Sequence, residues 1–324
     1  MKTIRQLSVF LILTLFFSQV IAAEKYPSRP IRLVVANSAG SSADVIARII
    51  ATGLSESYKW NVVVENKPGA NGIVGIDLVA KAPADGYTLG LVVPSVMTVN
   101  PHVYKNMPFR PLEDLAPITQ TTSIIFALVS NPQLPFKNVN DLVSFSKKND
   151  RSLNFSSAGV GNLGHLAAEL FSANANIKLT HIPNRGDAAG MLDVMGGHTD
   201  LMFVPLASAI SHIRSGKLNL LAIASPSRVQ QFPDVPTLVE QGFPEVVIQG
   251  WTGLVAPSAT PLPVINDIHK AVQQILSDNA IKQSIFQQGM ETIGSSSNDF
   301  KQIMKMESIK WGNLIQQSGL KLND

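Results

Sequence analysis

Segments typical of buried β-strands alternate with helical patterns along most of this chain. Residues 30–36 (PIRLVVA) form an apolar, strand-like run, and apolar residues then recur at helical spacing across residues 44–54. Residues 61–65 and 88–94 are further strand-like runs, and residues 179–183 continue the alternation in the second half. Alternating units of this kind predict an α/β fold in which mostly parallel sheets are covered by helices.

Two long extended stretches, residues 116–130 and 246–257, interrupt this alternation and are predicted to cross between two lobes. A length of 324 residues suffices for two domains. The helical tail at the C-terminus is expected to return to the first lobe. We therefore predict lobe one at residues 24–124 and 247–324 and lobe two at residues 125–246. Such an arrangement is typical of folds that close about a hinge.

The first 23 residues have the organisation of a Sec-type signal peptide. Lys2 and Arg5 supply a short positive segment, residues 7–17 are largely apolar, and small residues offer cleavage sites near Ala22 and Ala23. A membrane anchor is the alternative, but the apolar run is short for a bilayer span of about 20 residues. The sequence therefore predicts export to the periplasm with cleavage near Ala22 or Ala23.

Composition narrows the chemistry available to the exported chain. There is no cysteine, which excludes disulfides, thiolate metal sites and a cysteine nucleophile. Without Lys2 and Arg5 the formal balance changes from 26 minus 23 to 24 minus 23, a net charge of about +1, and no basic stripe indicates nucleic-acid binding. The six histidines include no i, i+4 pair, and the chain has no G-x-S-x-G motif, so neither a metal site nor a hydrolase is indicated.

Polar, glycine-containing loops follow several predicted strands, at the edge where open α/β sheets bind their ligands. In residues 36–44 (ANSAGSSAD), glycine and serine allow backbone N–H groups to approach an anion at the start of a helix. Asp44 is interpreted mainly as a helix cap. Arg185, in the loop PNRGD, either pairs with a ligand carboxylate or serves as a solvated surface cation.

A second loop, residues 156–165 (SSAGVGNLGH), has the spacing G-x-G-x-x-G between a strand and a helix. That spacing also occurs in dinucleotide-binding folds. Here the preceding strand is short and polar, and the next strand ends without the acid that binds ribose. A carboxylate fits the loop better, because glycines expose amides and the helix N-terminus adds partial positive charge. His165 is interpreted as a core or capping residue.

Seven motifs lie in order along the mature chain and cover nearly all of it. They are YPSRPIRLVV at residues 26–35, VVVENKPGANG at 62–72, PADGYTLGL at 83–91, NFSSAGVGNLGHLAAELF at 154–171, HIPNRG at 181–186, DVPTLVEQGFP at 234–244 and WTGLVAPSATP at 251–261. In this order they resemble the Bug, or TctC-type, substrate-binding family of tripartite tricarboxylate transporters. The resemblance implies a two-lobe, type II-like periplasmic binding fold, in which two mostly parallel sheets flanked by helices are joined by two crossover strands.

The same resemblance implies a carboxylate in the cleft between the lobes and inner-membrane permease subunits as partners. It implies no catalytic residue, no metal and no cofactor. Strand ends in both lobes are expected to bind the ligand. The predicted site residues are Asn37, Ser38, Ser41, Ser42, Ala70, Asn71, Ser95, Ser157, Ala158, Gly161, Asn162, Asn184, Arg185 and Val204.

The chain departs from the family pattern at three of these positions. Asn37 stands where the family often has Phe, Asn184 where it usually has Tyr, and Val204 where Asp is common. Val cannot accept a hydrogen bond from a ligand ammonium, and a buried ammonium without a partner loses its hydration uncompensated. The sequence therefore predicts a carboxylate without an α-amino group: a dicarboxylate, a keto acid or an aromatic acid. Asn37 and Asn184 are expected to bind its second polar end.

Taken together, the residues and the resemblance predict a monomeric periplasmic solute-binding protein that captures a small organic carboxylate for a tripartite tricarboxylate-type transporter. An enzyme is not expected. Two alternatives stay open at this point: a ligand-sensing receptor that presents its closed form to a sensor kinase, and an exported enzyme. A transport assay in a deletion strain separates the first alternative, and turnover of a bound ligand would reveal the second.

Overall fold

The computed structural model describes residues 26–148 and 152–318. The predicted signal peptide lies outside these residues, and within them no helix combines the length and apolar character needed to span a bilayer. The strands are β1 (Ile31–Val35), β2 (Val62–Asn66), β3 (Thr88–Val92), β4 (Leu115–Ser130), β5 (Leu153–Ser157), β6 (Leu179–Pro183), β7 (Leu201–Pro205), β8 (Asn219–Ile223), β9 (Gln249–Pro257) and β10 (Met290–Thr292).

Helices separate most of these strands, so the alternation predicted from the sequence is confirmed. They are α1 (Ser42–Tyr58), α2 (Ile73–Ala80), α3 (Asn100–Val103), α4 (Pro111–Asp114), α5 (Val139–Lys148), α6 (Leu163–Ala175), α7 (Asp187–Gly196), α8 (Leu206–Arg214), α9 (Leu262–Ser277), α10 (Asn279–Gln287) and α11 (Ser297–Ser318). A 3₁₀ turn at Ala70–Gly72 precedes α2, and a π-helical turn at Ser95–Val99 precedes α3.

The strands form one mixed sheet in the order β2-β1-β3-β9-β4-β7-β5-β6, and β8 and β10 also pair with β4. Both ends of the sheet are parallel, because helical crossovers connect their strands. The long strands β4 and β9 run antiparallel to their neighbours. The two sheets predicted from the sequence are therefore the two parallel ends of a single sheet, joined through antiparallel strands.

Strand β4 connects the two halves of the sheet. Its first part, up to Ile125, pairs with β9, and from Phe126 onward it pairs with β7. Both stretches predicted to cross between the halves are thus strands of the structure. The division of the chain into two moving lobes remains a prediction.

Each half of the sheet has a hydrophobic core on both faces, because successive side chains of a strand point to opposite sides. In β1, Leu33 packs into the cluster that contains Ile46 of α1, whereas Val34 packs into the cluster that contains Ile76 of α2. In the second half, Phe203 of β7 packs with residues of α6, and its neighbours pack against α7 and α8. Burial on both faces explains the continuous apolar runs of the sequence.

The C-terminal helix α11 contacts the cores of both halves. Phe300 and Met304 belong to a cluster of the first half, whereas Trp311 and Leu314 belong to a cluster of the second half. A helix of 22 residues is about 33 Å long, which is enough to reach both cores. The tail returns to the first half, as predicted from the sequence. It also packs against the second half, which was not predicted.

Candidate ligand-binding site

A cavity of about 330 Å³ lies where the two halves of the sheet meet. The first half contributes the loop after β1, the start of α1 and the loop after β3. The second half contributes the starts of α6, α7 and α8, and the strands β4 and β9 complete the wall. The residues that line the cavity are Asn37, Gly40, Ser41, Ser42, Ala43, Val93, Pro94, Ser95, Ile124, Phe126, Asn162, Leu163, Asp187, Pro205, Ser208, Gly250 and Trp251.

The first turns of four helices line this cavity. Residues 41–43 begin α1, Asn162 precedes α6, Asp187 is the first residue of α7, and Ser208 lies in the first turn of α8. Amides in the first turn of a helix have no carbonyl partner within the helix, and the helix dipole adds partial positive charge there. The arrangement favours an anionic group in the cavity, with amides and hydroxyls as its hydrogen-bond donors.

Side-chain caps fix where two of these helices begin. The Oγ atom of Ser41 accepts a hydrogen bond from the amide of Asp44 at 3.3 Å, and Oδ1 of Asn162 accepts one from the amide of Gly164 at 2.8 Å. Serine and asparagine are preferred at this position because their short side chains reach the unpaired amides. The caps therefore position the two helix starts that line opposite walls.

Asp44, in the first turn of α1, is almost fully buried and has several partners. Its carboxylate accepts hydrogen bonds from the amide of Gly40 at 2.9 Å, from Nε of Arg48 at 3.1 Å and from Nδ2 of Asn66 at 2.9 Å. The bond from Arg48 is the main reason that the pKa of Asp44 falls to about 2. These contacts fasten the loop before α1, which agrees with the interpretation of Asp44 as a capping residue.

Asp187, in the first turn of α7, is the one ionisable residue among the described residues that line the cavity. Within the described structure its carboxylate has neither a hydrogen-bond nor an ion-pair partner. Burial raises its pKa to about 6. It is not among the residues predicted from the sequence, because Arg185 is the residue of the loop PNRGD whose charge suits a ligand carboxylate. The signal in the sequence is an acid directly after the glycine of the loop that follows β6.

Five of the predicted site residues line the cavity, and they come from both halves of the sheet. They are Asn37, Ser41, Ser42, Ser95 and Asn162. Oδ1 of Asn37 is buried without a hydrogen-bond partner among the described residues, although its backbone carbonyl accepts from Nδ2 of Asn66 at 3.1 Å. The structure thus brings together the loop after β1, the turn after β3 and the start of α6.

The glycine-rich loop after β5 lies beside the cavity and is held by two histidines. Oγ of Ser157 lies 2.6 Å from Nε2 of His181, and the amide of Gly161 donates to Nδ1 of His165 at 3.1 Å. The two imidazole rings stack with their centroids 3.7 Å apart. Burial is the largest cause that lowers the pKa of His181, to about 4. His165 is itself buried, so it is a core residue, as interpreted from the sequence.

This support explains why three predicted residues of the loop do not line the cavity. Ser157 is fully buried, the carbonyl of Ala158 accepts from the amide of Gly186 at 3.2 Å, and the amide of Gly161 is engaged by His165. Gly161 has φ +74°, a left-handed conformation that favours glycine. The glycine at this position thus meets a backbone requirement of the loop.

Five further predicted residues lie outside the cavity wall. Asn184 donates from Nδ2 to Oγ of Ser156 at 3.2 Å, while Ser38 and Arg185 are exposed. Ala70 and Asn71 form the exposed turn before α2. Nδ2 of Asn71 donates to Oδ1 of Asn100 at 2.8 Å, which ties this turn to α3. Ligand-binding roles for these residues remain predictions.

Val204 lies in a hydrophobic core and not in the cavity wall. Its side chain is 0 % exposed and packs in a cluster with Met191 and Ala209, on the face of β7 that is covered by α7 and α8. The next residue, Pro205, lines the cavity instead. The expectation that Val204 faces the cleft was wrong, because strand alternation turns its side chain away. The predicted exclusion of amino acids loses its basis with it.

A polar cavity between two halves of one α/β sheet, lined by the N-termini of four helices, defines a solute-binding protein. The described residues contain no group of side chains that could hold a metal ion. A sequence profile of the family described as "Tripartite tricarboxylate transporter family receptor" matches residues 46–320. The chain belongs to this family.

Curated relatives agree with this assignment over nearly the whole chain. A protein of the UPF0065 group from Bordetella pertussis is 35% identical over 298 residues, which cover 92% of each chain. The protein BugT of the same organism is 32% identical over 303 residues and 93% of each chain. The resemblance to the Bug family read from the motifs is therefore confirmed.

Three solved structures share this fold, one of them a periplasmic binding protein and two of them solved with a carboxylate. The periplasmic binding protein BugD is 31% identical with a TM-score of 0.78, over 91% of this chain and 99% of that one. A protein of R. palustris solved with adipate is 28% identical with a TM-score of 0.82, over 91% and 99%. MatC of Rhodopseudomonas palustris, solved with malate, is 25% identical with a TM-score of 0.78, over 90% and 100%. The chain is thus a periplasmic solute-binding receptor and not an enzyme.

Proposed function

We propose that this receptor captures a small organic carboxylate in its cavity and delivers it to the inner-membrane permease subunits of a tripartite tricarboxylate-type transporter. The observation that carries the proposal is the meeting of four helix N-termini at one cavity. Oriented amides and hydroxyls replace the water around a carboxylate without requiring a cationic side chain. Adipate and malate in two similar structures support the same ligand class.

Binding in this account brings the two halves of the sheet together. Ser41 and Ser42 bind the carboxylate from the first half, and Asn162 and Ser208 complete its hydrogen bonds from the second. A ligand that contacts both halves favours the closed arrangement by its differential affinity for that state. Closure occurs between the lobes predicted from the sequence, with the hinge where β4 changes partners after Ile125.

The cellular setting follows from the same proposal. The leader is removed near Ala22 or Ala23, and the mature monomer acts in the periplasm. N-terminal sequencing of the periplasmic protein tests the cleavage, and a transport assay in a deletion strain tests the partnership with the permease. Carboxylate uptake that is unchanged in the deletion strain would contradict the transport role.

Replacing Ser42 with Asp tests the cavity directly. The new carboxylate at the start of α1 repels a bound carboxylate, so we expect affinity to fall at least tenfold, or about 1.4 kcal/mol. Thr52→Asp is the matched control, because Thr52 is an exposed residue of the same helix outside the cavity wall. It should bind as the wild type does.

The readout is a thermal-shift screen of mono-, di- and tricarboxylates, aromatic acids and amino acids, followed by calorimetric titration of the hits. A ligand at 100 times its dissociation constant adds about 2.7 kcal/mol to stability. Equal loss of affinity in both variants would place the binding site elsewhere. A screen in which no carboxylate stabilises the protein would overturn the proposed function.

A further inference from the structure

We infer that the cavity selects carboxylates that also carry an ammonium group, and that Asp187 binds this group. The inference rests on the proposed function, because it names the ligand class of the same cavity. Asp187 is thereby a specificity-determining residue.

The first support is the charge of the cavity wall. Among the seventeen described residues that line it, none is Lys, Arg or His, and Asp187 supplies the one formal charge. In this arrangement one carboxylate of the ligand accepts hydrogen bonds at the helix N-termini. A second carboxylate on the ligand would meet a like charge at Asp187, whereas an ammonium would meet an opposite one. A zwitterion therefore matches the wall at both ends.

The second support is the lack of a partner for Asp187 within the described structure. The residue is half-buried, yet no hydrogen bond or ion pair from the described residues reaches its carboxylate. An ionised carboxylate is costly to bury unless it is paired, and burial raises its pKa to about 6. A ligand ammonium supplies up to three hydrogen-bond donors and the missing charge.

The third support is the chemistry of the nearby wall, which offers little to a second carboxylate. Phe126, Ile124 and Pro205 have no side-chain donor. Trp251 has one, but its Nε1 atom donates to Oε2 of Glu307 at 2.7 Å. The ligand is thus expected to present one carboxylate to the helix starts and an ammonium to Asp187.

Calorimetric titration of matched ligand pairs at about pH 7.5, above the pKa of Asp187, tests this inference. The pairs are alanine and propionate, 4-aminobutyrate and butyrate, and aspartate and succinate. In at least one pair the amino member should bind the wild-type protein at least tenfold more tightly than its partner. This comparison requires no variant, so it does not depend on the folding of a mutant.

The variant Asp187→Asn then assigns the preference to one residue. We expect its preference for the amino member to fall at least tenfold, while affinity for the member without an ammonium does not fall. Asp193→Asn is the control, because Asp193 lies on the same helix outside the cavity wall and should keep the preference.

Two results would overturn the inference while leaving the proposed function intact. One is tighter binding of the member without an ammonium in every pair that binds. The other is an amino preference that survives in Asp187→Asn. Binding of no carboxylate at all would overturn the proposed function and this inference together.

Discussion

The first turns of α1 and α7 each carry an aspartate beside the same cavity. The pKa of one carboxylate is lowered and that of the other is raised. Asp44 accepts hydrogen bonds from a backbone amide, an arginine and an asparagine, and its pKa falls to about 2. Asp187 has no such partner among the described residues, and burial raises its pKa to about 6. Both lie where a helix dipole favours a negative charge. Both carboxylates lie at a helix start, so the position alone does not distinguish them. The difference shows that hydrogen-bond partners within the protein decide whether a carboxylate is already occupied or is available to a ligand.

Removing Asp44 should give the larger effect on stability. Asp44→Ala leaves buried donors unpaired, and hydrogen bonds to a charged group contribute roughly 1.5–3 kcal/mol each, so we expect a loss of about 3 kcal/mol at pH 7. Urea unfolding measures it. Glu56→Ala, which removes an exposed acid of the same helix, should change stability by less than about 0.5 kcal/mol.

The pH dependence of that loss has a defined sign. The folded-state pKa of Asp44 is lowered, so its contribution is present above the unfolded value near 4 and declines as the pH falls toward 2. The difference between wild type and Asp44→Ala should shrink over that window. A difference that stays constant down to pH 2 would show that ionisation of Asp44 contributes nothing.

Replacing Asp187 should have a smaller effect, of the opposite sign. Because the folded-state pKa is raised, the folded protein retains this proton between about pH 4 and pH 6 while the unfolded chain releases it. Stability from this residue therefore falls as the pH rises through that window. The rise of about two pKa units corresponds to at most about 3 kcal/mol, and solvent screening reduces this for a half-buried carboxylate. Without ligand, Asp187→Asn should therefore be more stable than wild type by about 2 kcal/mol at pH 7.

The same pair of proteins should approach equal stability below about pH 4, where Asp187 is protonated in both the folded and the unfolded state. Thermal or urea unfolding at several pH values gives the comparison. If Asp187→Asn were less stable than wild type at pH 7, the carboxylate would have a stabilising partner, and its contrast with Asp44 would fail.

Much of the fold could be predicted from the sequence, because burial on both faces of a parallel strand leaves a continuous apolar run. The run at residues 30–36 contains β1, and the pattern at residues 44–54 lies within α1. The reach of α11 into the second core could not be predicted. Its apolar residues show which positions are buried, but Trp311 and Phe300 give no sign that they belong to different cores.

The candidate site was predicted in part, at positions where polar residues directly follow predicted strands. Asn37, Ser42 and Asn162 follow strands at the cavity edge of the sheet, and this position is readable from the chain. Val204 was misplaced because every side chain along β7 is buried up to that point, so the apolar run does not reveal which face is the core. Asp187 could not be predicted, because what distinguishes it is that no other described residue pairs with its carboxylate. Such a property appears only in the three-dimensional structure.

The most direct test of ligand capture in this cavity is fluorine NMR of protein labelled with 5-fluorotryptophan. The chain has three tryptophans, which are assigned by single Trp→Phe variants. Trp251 lines the cavity, whereas Trp60 packs against Tyr26 and Tyr58 away from it. The ligand added is the carboxylate that gives the largest shift in the thermal screen. We predict that the Trp251 resonance moves with saturation while that of Trp60 does not. Saturable binding by calorimetry with an unchanged Trp251 resonance would contradict ligand capture in this cavity.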